Sequence, residues 1–339
     1  TVSYRLGGDG GGSCGGCGTC DSCNDAAACC ESSCDTCCDP CCWMHRFFVF
    51  GEGLVWRARN TEVAYAVPVD TVIPQFAGPP VQVGPVGVVD QGYEMGFRVG
   101  GGIVCDDFSS ITAQFTWFES GQGDQIATNA PNVLQSLVHH PLTASAVTPW
   151  LQANARHDID LALVDVDYRH IFRIGNSYAL NWLAGVRYAH LDQTFLSNHL
   201  VNASSQVFSN VVFDGAGIRV GLEGERVGRR GFMIYGKGHA SFVAGEFHTT
   251  YLQRDILAQN EVFTTWQGGR VVSILDLELG LGWYSASGRW RLSGGYLVSG
   301  WFNTVKTDDW IDAVRTNNFV DLNDSISFDG FVGRVEYRF

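Results

Sequence analysis

The closing stretch, Ser325 to Phe339, constrains the fold more than any other part of the sequence. Ser327, Asp329, Phe331, Gly333, Val335, Tyr337 and Phe339 fall on one side of a period-two strand. Ile326, Phe328, Gly330, Val332, Arg334, Glu336 and Arg338 fall on the other. Toward the end one row is aromatic and aliphatic, and the facing row is ionic. A soluble strand also alternates when its apolar row covers a core. The distinguishing feature is the end itself: the chain stops on Phe339, with Tyr337 two places before it. An apolar outer row finishing on aromatic rings is the pattern of a strand that closes a barrel in a bilayer. Tyr337 and Phe339 are the candidate assembly signal.

The alternation recurs in ten segments, about 46–58, 92–105, 109–120, 155–172, 177–195, 207–226, 231–250, 262–284, 289–304 and 324–339. Each exceeds the about 9–11 residues that a tilted strand needs to cross a bilayer. The expected architecture is an all-β antiparallel transmembrane barrel of about ten strands over 46–339. In 262–284, for example, Leu275, Leu277, Leu279, Leu281 and Trp283 oppose Asp276, Glu278, Gly280 and Gly282. The polar rows predict a lumen lined by Glu94, Arg98, Asp165, Asp167, Arg187, Arg219, Glu223, Lys237, Asp276, Glu278, Arg291, Arg334 and Glu336. The first strand is ambiguous, because Phe48, Phe50, Glu52 and Trp56 share a face. Tyr93, Trp117, Trp182, Tyr188, Trp283 and Trp290 are placed for interfacial girdles.

Connection lengths alternate. The short ones, 105–108, 173–177, 227–230 and 285–288, fall on the side of both termini. The long ones are 59–91, 121–154, 196–206, 251–261 and 305–323. Outer-membrane barrels have short periplasmic turns and long outer loops, so both ends are expected in the periplasm. An extra hairpin within 59–91, starting from Thr61 to Val69, stays open.

Residues 1–45 are of another kind. They hold Cys14, Cys17, Cys20, Cys23, Cys29, Cys30, Cys34, Cys37, Cys38, Cys41 and Cys42, among Gly, Ser, Asp, Asn and Ala. Such a segment has no means of building a core, so either covalent or metal cross-links order it or it stays a disordered tail. Cys-x-x-Cys pairs such as Cys14/Cys17 and Cys34/Cys37 suit zinc. No His interleaves with them, however, and several cysteines are adjacent, which favours disulfides in a secreted chain. An odd number leaves one thiol to pair elsewhere. The choices are Cys105, the only other cysteine, or a neighbouring subunit. The expectation is a periplasmic head that joins barrels into a disulfide-linked homo-oligomer. The start at Thr1, without Met or an apolar leader, reads as a processed chain.

A net charge of −13 argues against nucleic acid, which needs a basic face. Charged residues are only 17% of the chain, and no apolar run reaches the about 18 residues of a membrane helix. No nucleophile elbow, zinc-protease helix motif or phosphate loop is present. His139-His140 reads as an exposed pair in a long loop. Asp165, His170 and Ser293 are catalytic residue types, but no spacing selects them. Neither an enzyme nor a cofactor or metal is expected.

Three motifs carry a resemblance: Phe50-Gly-Glu-Gly-Leu-Val-Trp-Arg57, Trp182-Leu-Ala-Gly-Val-Arg-Tyr188 and Val332-Gly-Arg-Val-Glu-Tyr-Arg-Phe339. Residues 46–339 resemble the pore-forming outer-membrane protein family of the Legionella major outer-membrane protein, which is expanded in planctomycetes. The resemblance implies an outer-membrane barrel named for a pore. A wide aqueous pore comes with about 16–18 strands, whereas about 8 strands leave an interior filled by side chains. Ten strands with interleaved Arg and carboxylates are therefore expected to be narrow. The sequence leaves three readings: a structural barrel cross-linked through its head, a narrow diffusion pore for small solutes, or a soluble secreted β-domain.

Overall fold

The computed structural model describes residues 46–70, 81–106, 108–175, 177–201, 203–255, 260–320 and 322–339. The cysteine-rich segment, with every cysteine except Cys105, lies outside the described residues. The wall is built from β1 (Phe47–Arg59), β4 (Glu94–Val104), β5 (Ser109–Ala127), β7 (Gln152–Ile174), β8 (Tyr178–Leu200), β9 (Ser204–Val227), β10 (Phe232–Asp255), β11 (Asn260–Tyr284), β12 (Trp290–Thr304) and β13 (Asp324–Arg338). These ten strands close in the order β1-β13-β12-β11-β10-β9-β8-β7-β5-β4, and β4 pairs back onto β1. Every neighbouring pair is antiparallel.

The first and last strands of the wall close on each other. The Phe47 amide donates to the Phe339 carbonyl at 3.0 Å, and the Phe339 amide returns a bond to Phe47 at 2.9 Å. The Phe47 and Phe339 rings stack 6.0 Å apart, and Tyr337 stacks on Phe339. The two residues singled out as an assembly signal thus sit at the seam where the first and last strands meet. The turns between β4 and β5, β7 and β8, β9 and β10, and β11 and β12 share this terminal rim.

The wall has two storeys of opposite polarity. Near the terminal rim the outward row is apolar and exposed. In β11 it runs Val271, Leu275, Leu277, Leu279, Leu281 and Trp283, with Leu279 72% exposed. At about 3.3 Å per residue and about 40° of tilt, the stretch from Val271 to Trp283 covers about 30 Å, a bilayer's hydrocarbon thickness. Aromatic rings mark both edges. Trp290 packs on Tyr337 at 4.7 Å near the terminal rim. Tyr93 and Tyr296 both hydrogen-bond the Asp329 carboxylate at the other edge. Beyond that edge the outward row turns polar, with Arg156 bound to Asp158 and Asn210 to Asp192. The inward row there becomes apolar: Ile159, Leu161, Phe195, Phe213, Phe247, Trp301 and Phe328 are buried.

A plug fills that far storey. It comprises β2 (Val63–Val69), β3 (Gly87–Val89) and β6 (Val133–Ser136), paired in the order β3-β2-β6, together with α1 (Ala144–Val147) and α2 (Thr307–Thr316). Plug residues Tyr65, Leu134, Trp150, Trp310 and Ile311 share one continuous core with the wall residues. The helix forms because Thr307, Trp310, Ile311 and Val314 line up on one buried face. Asp308 and Asp309 in its first turn and Arg315 in its last suit the helix dipole, and Asn317 ends it in the left-handed conformation.

Two sequence expectations need correction. The intervals 196–206 and 251–261 are mostly strand, since β8 runs to Leu200, β9 begins at Ser204, β10 runs to Asp255 and β11 begins at Asn260. The hairpin left open in 59–91 is present: β2 pairs antiparallel with β3 inside that interval, and β2 also pairs with the distant β6. His139 is not an exposed loop residue; it is 1% exposed within the plug. Each error has one cause. A buried core above the membrane reverses the polarity of the alternation, so segments that continue the wall no longer look lipid-facing.

Candidate functional site

The distinctive chemistry lies in the membrane storey, where the inward rows converge on an ionic belt. Antiparallel register sets its contacts. Glu52 on β1 stands opposite Arg98 of β4 on one side and Arg334 of β13 on the other. Its two oxygens accept from Arg98 Nη1 at 2.6 Å and Arg334 Nη1 at 3.0 Å. Arg334 continues to Glu336 at 2.7 Å, and Arg338 Nε donates to the other Glu336 oxygen at 2.9 Å. The Arg334 guanidinium also lies 3.7 Å from the centre of the Phe50 ring. The first strand's mixed row, Phe48, Phe50, Glu52 and Trp56, is therefore an inward face.

A second group reaches across the lumen. Arg187 on β8 holds Asp165 of neighbouring β7 through Nε at 2.6 Å and Nη2 at 3.0 Å. Its Nη1 donates to Asp276 on β11 at 2.8 Å, a chord past two intervening strands. Asp276 also accepts from Ser299 Oγ at 2.6 Å, and Asp165 from Gln114 at 2.8 Å. Arg219 binds Asp167 and meets His239 Nδ1 at 2.8 Å, while His239 Nε2 faces Glu223 at 3.2 Å. Arg169 reaches Glu223 at 3.3 Å, Arg291 reaches Glu225 at 3.3 Å, and Lys237 binds Glu278 at 2.9 Å. Desolvated charges are tolerated when paired in this way, although Arg219, Arg291 and Arg334 each keep a buried Nε without a hydrogen-bond partner.

Of the thirteen lumen candidates, twelve enter these networks. Glu94 stands apart near the far edge of the belt, half-buried, and accepts from Gln122 at 2.7 Å. Glu52, Arg169, Glu225, His239 and Arg338 complete the belt and were not among the candidates. Arg338 and Arg169 were legible as members of ionic rows, and Glu52 as a lone carboxylate within an aromatic row. Cys105 is exposed on the terminal rim. Next to it, the Val104 amide donates to the Arg46 carbonyl at 2.8 Å, where the cysteine-rich segment joins the wall. Among the described residues no cluster of His, Cys, Asp and Glu has metal-site geometry. No described helix is long and apolar enough to cross a membrane.

A cavity of about 650 Å³, counting the solvent it opens to, lies toward the terminal rim between Phe108, Arg169, Asn181, Glu225, Arg291 and Glu336. A second, of about 370 Å³, shares Arg169, Glu223 and Lys237 with the first and ends among Arg187, Arg219 and Asp276. The vestibule thus narrows onto the cross-lumen chord. Past the chord the interior is the apolar core and its plug.

No curated relative matches the chain. Among solved structures it is similar to the outer membrane protease OmpT from Escherichia coli, at 12% identity and a TM-score of 0.48, covering 87% of this chain and 97% of that one. It is also similar to the translocator domain of the autotransporter NalP from Neisseria meningitidis, at 14% identity and a TM-score of 0.29 over 87% and 88%. A Pseudomonas aeruginosa FadL homologue matches at 7% identity and a TM-score of 0.25 over 87% and 90%. The sequence profile described as Legionella pneumophila major outer membrane protein precursor matches residues 40–339. With its lipid-facing belt and closed wall, the chain belongs to the Legionella major outer membrane protein family and is an outer-membrane β-barrel, not the soluble secreted domain that alternation alone left open.

Proposed function

We propose that this barrel is a sealed structural element of the outer membrane, without enzymatic activity, and that it does not conduct solutes at rest. The observation that supports this most directly is Arg187, 3% exposed and held between Asp165 and Asp276 on different parts of the wall. Above it the plugged core closes the lumen a second time. Reconstitution into planar bilayers tests the reading. A sealed barrel gives no unitary steps at neutral pH, whereas reproducible steps would overturn it. The vestibule favours one alternative, a narrow passive pore for small solutes that passes beside the chord. That alternative predicts small, well-defined steps that grow when Arg187 is shortened.

The proposal extends to assembly. Residue 46 enters the wall on the rim with the short turns, which in this reading faces the periplasm. In this reading the eleven cysteines that precede it in sequence link copies through disulfides into a homo-oligomer, with Cys105 on the terminal rim as a further partner. Non-reducing electrophoresis of envelopes alkylated before lysis tests this. A ladder that collapses on reduction supports the cross-linked array, and monomer alone refutes it. A membrane-impermeant thiol reagent applied to intact cells should leave Cys105 unlabelled.

A further inference from the structure

Three buried histidines bridge the plug and the wall, each from a different place. On β7, His157 Nε2 meets Thr307 Oγ1 of α2 at 3.3 Å. On β8, His199 Nε2 meets the Tyr65 carbonyl of β2 at 3.3 Å. From the plug, His139 Nε2 meets Ser205 Oγ of β9 at 3.0 Å. All three rings are at most 1% exposed. The His139 and His199 rings lie 4.6 Å apart, with Trp150 against both. In all three, Nδ1 is buried and makes no hydrogen bond to the protein. None of the rings hydrogen-bonds a carboxylate. Their surroundings are the apolar core of the far storey, outside the membrane belt, where the neighbouring outward residues are the charged Arg156 and Asp158.

We propose that these imidazoles form an acid-sensitive latch: protonation releases the plug from the far storey of the barrel while the membrane belt stays closed. Two cations 4.6 Å apart in an apolar core, and a third against a threonine hydroxyl, are not compatible with the docked arrangement. The proposal goes beyond the sealed-barrel reading, because the ionic belt closes the lumen separately from the plug.

Charged groups on several elements face the latch. Arg315 of α2 lies near His139 and opposes its protonation, as does His199. Asp158 favours a charge on His157, but its carboxylate is turned outward onto Arg156. Burial dominates, lowering His139 to about 2 and His157 and His199 to about 4. On α2, Asp308 and Asp309 act the other way. Burial raises both, Asp309 to about 6, so acid favours their docked state. Lys306 sits between Asp308 and Asp324 and stays charged throughout. For the histidines the sign is clear: the docked state holds fewer protons, so docking is full above about pH 6.5 and weakens as pH falls. At pH 5 each imidazole weakens docking about twentyfold relative to pH 7, while Asp309 restores about tenfold. Acid release wins.

Hydrogen exchange on the full chain in lipid nanodiscs tests this, with rates normalised to intrinsic exchange at each pH. Protection of Val63–Val69 and Thr307–Thr316 should fall at least tenfold between pH 7 and pH 5, with Glu94–Val104 unchanged. The combined variant His139→Gln, His157→Gln and His199→Gln should lose most of that dependence. Should the variant not fold, exchange of the imidazole C2 hydrogens in the unmodified chain reports each ring's titration directly. A plug equally protected at both pH values overturns the latch. So does a fall of the same size in the variant, which would assign the effect to carboxylates. Loss of protection in plug and belt together would make the event unfolding rather than release.

Discussion

Replacing Arg187 with Met tests whether the belt is as desolvated as its geometry requires. The wild-type guanidinium makes three hydrogen bonds, two to Asp165 and one to Asp276. Without it, Asp276 keeps only the Ser299 hydroxyl as a close donor. Asp165 keeps Gln114 and an Arg219 nitrogen at 3.5 Å. Most of the damage therefore falls on Asp276. Removing one partner of a buried ion pair costs about 3–5 kcal/mol. The surviving contacts of Asp165 place Arg187→Met near the lower end, about 3 kcal/mol. Removing the stranded charges as well changes the outcome. The combined variant Asp165→Asn, Arg187→Met and Asp276→Asn leaves no uncompensated carboxylate, and Arg219 keeps Asp167. It should recover most of the loss, to within about 1–2 kcal/mol of wild type. Reversible denaturant unfolding in lipid vesicles measures both. If the single variant costs less than about 1 kcal/mol, water reaches Asp276 and the lumen is open, and the sealed reading falls with it. If the combined variant is no better than the single one, the damage is a packing loss and the electrostatic argument is wrong.

Trp310→Ala, at a fully buried position of α2, should cost about 3–5 kcal/mol of plug docking. Limited proteolysis should then cut within 305–323 while the wall strands stay intact; unchanged resistance would show that α2 contributes nothing to the seal. Tyr251→Phe removes a 2.7 Å bond to the Val138 carbonyl that ties plug to wall, at a cost of about 1–3 kcal/mol by the same assay. At the seam, Gly330 has φ +157°, and a Cβ there would collide with the Val55 carbonyl oxygen of β1. Gly330→Val should prevent β1 and β13 from closing. The readout is loss of the compact, heat-sensitive band on unheated gels, and a normal band would contradict the register.

The wall was legible because one physical constraint acts on every membrane strand alike. Lipid demands an apolar outward row, and the interior of a ten-strand barrel demands paired charges, so period two carries both signals at once. β11 shows this best, since Leu275 to Trp283 and Asp276 to Gly282 separate without exception. β1 resisted because the seam needs bulk inside. Phe48 and Phe50 fill the space beside Gly102 and Gly100, and Glu52 hides among them. The belt's pairings were not legible, since Arg187 and Asp276 lie far apart in sequence and meet only after closure fixes strand order.

Inversion of polarity above the membrane explains the rest. Alternation says that two faces differ, but not which one meets water. Within the belt, Val164 faces outward and Asp165 inward; a few residues earlier on the same strand, Asp158 faces outward and Ile159 inward. The strand keeps its period and its register while its solvent changes from lipid to water. A reading that follows apolar residues outward must therefore lose the strand where the bilayer ends, as happened at 196–206 and 251–261. The plug follows from the same change. Once the far walls turn their apolar rows inward, the barrel is too wide to fill that space with its own side chains. Trp150, Tyr65 and Trp310 arrive from three separate connections to occupy it. The buried histidines belong to that filling, and their chemistry is set by a dry core that no period in the sequence announces.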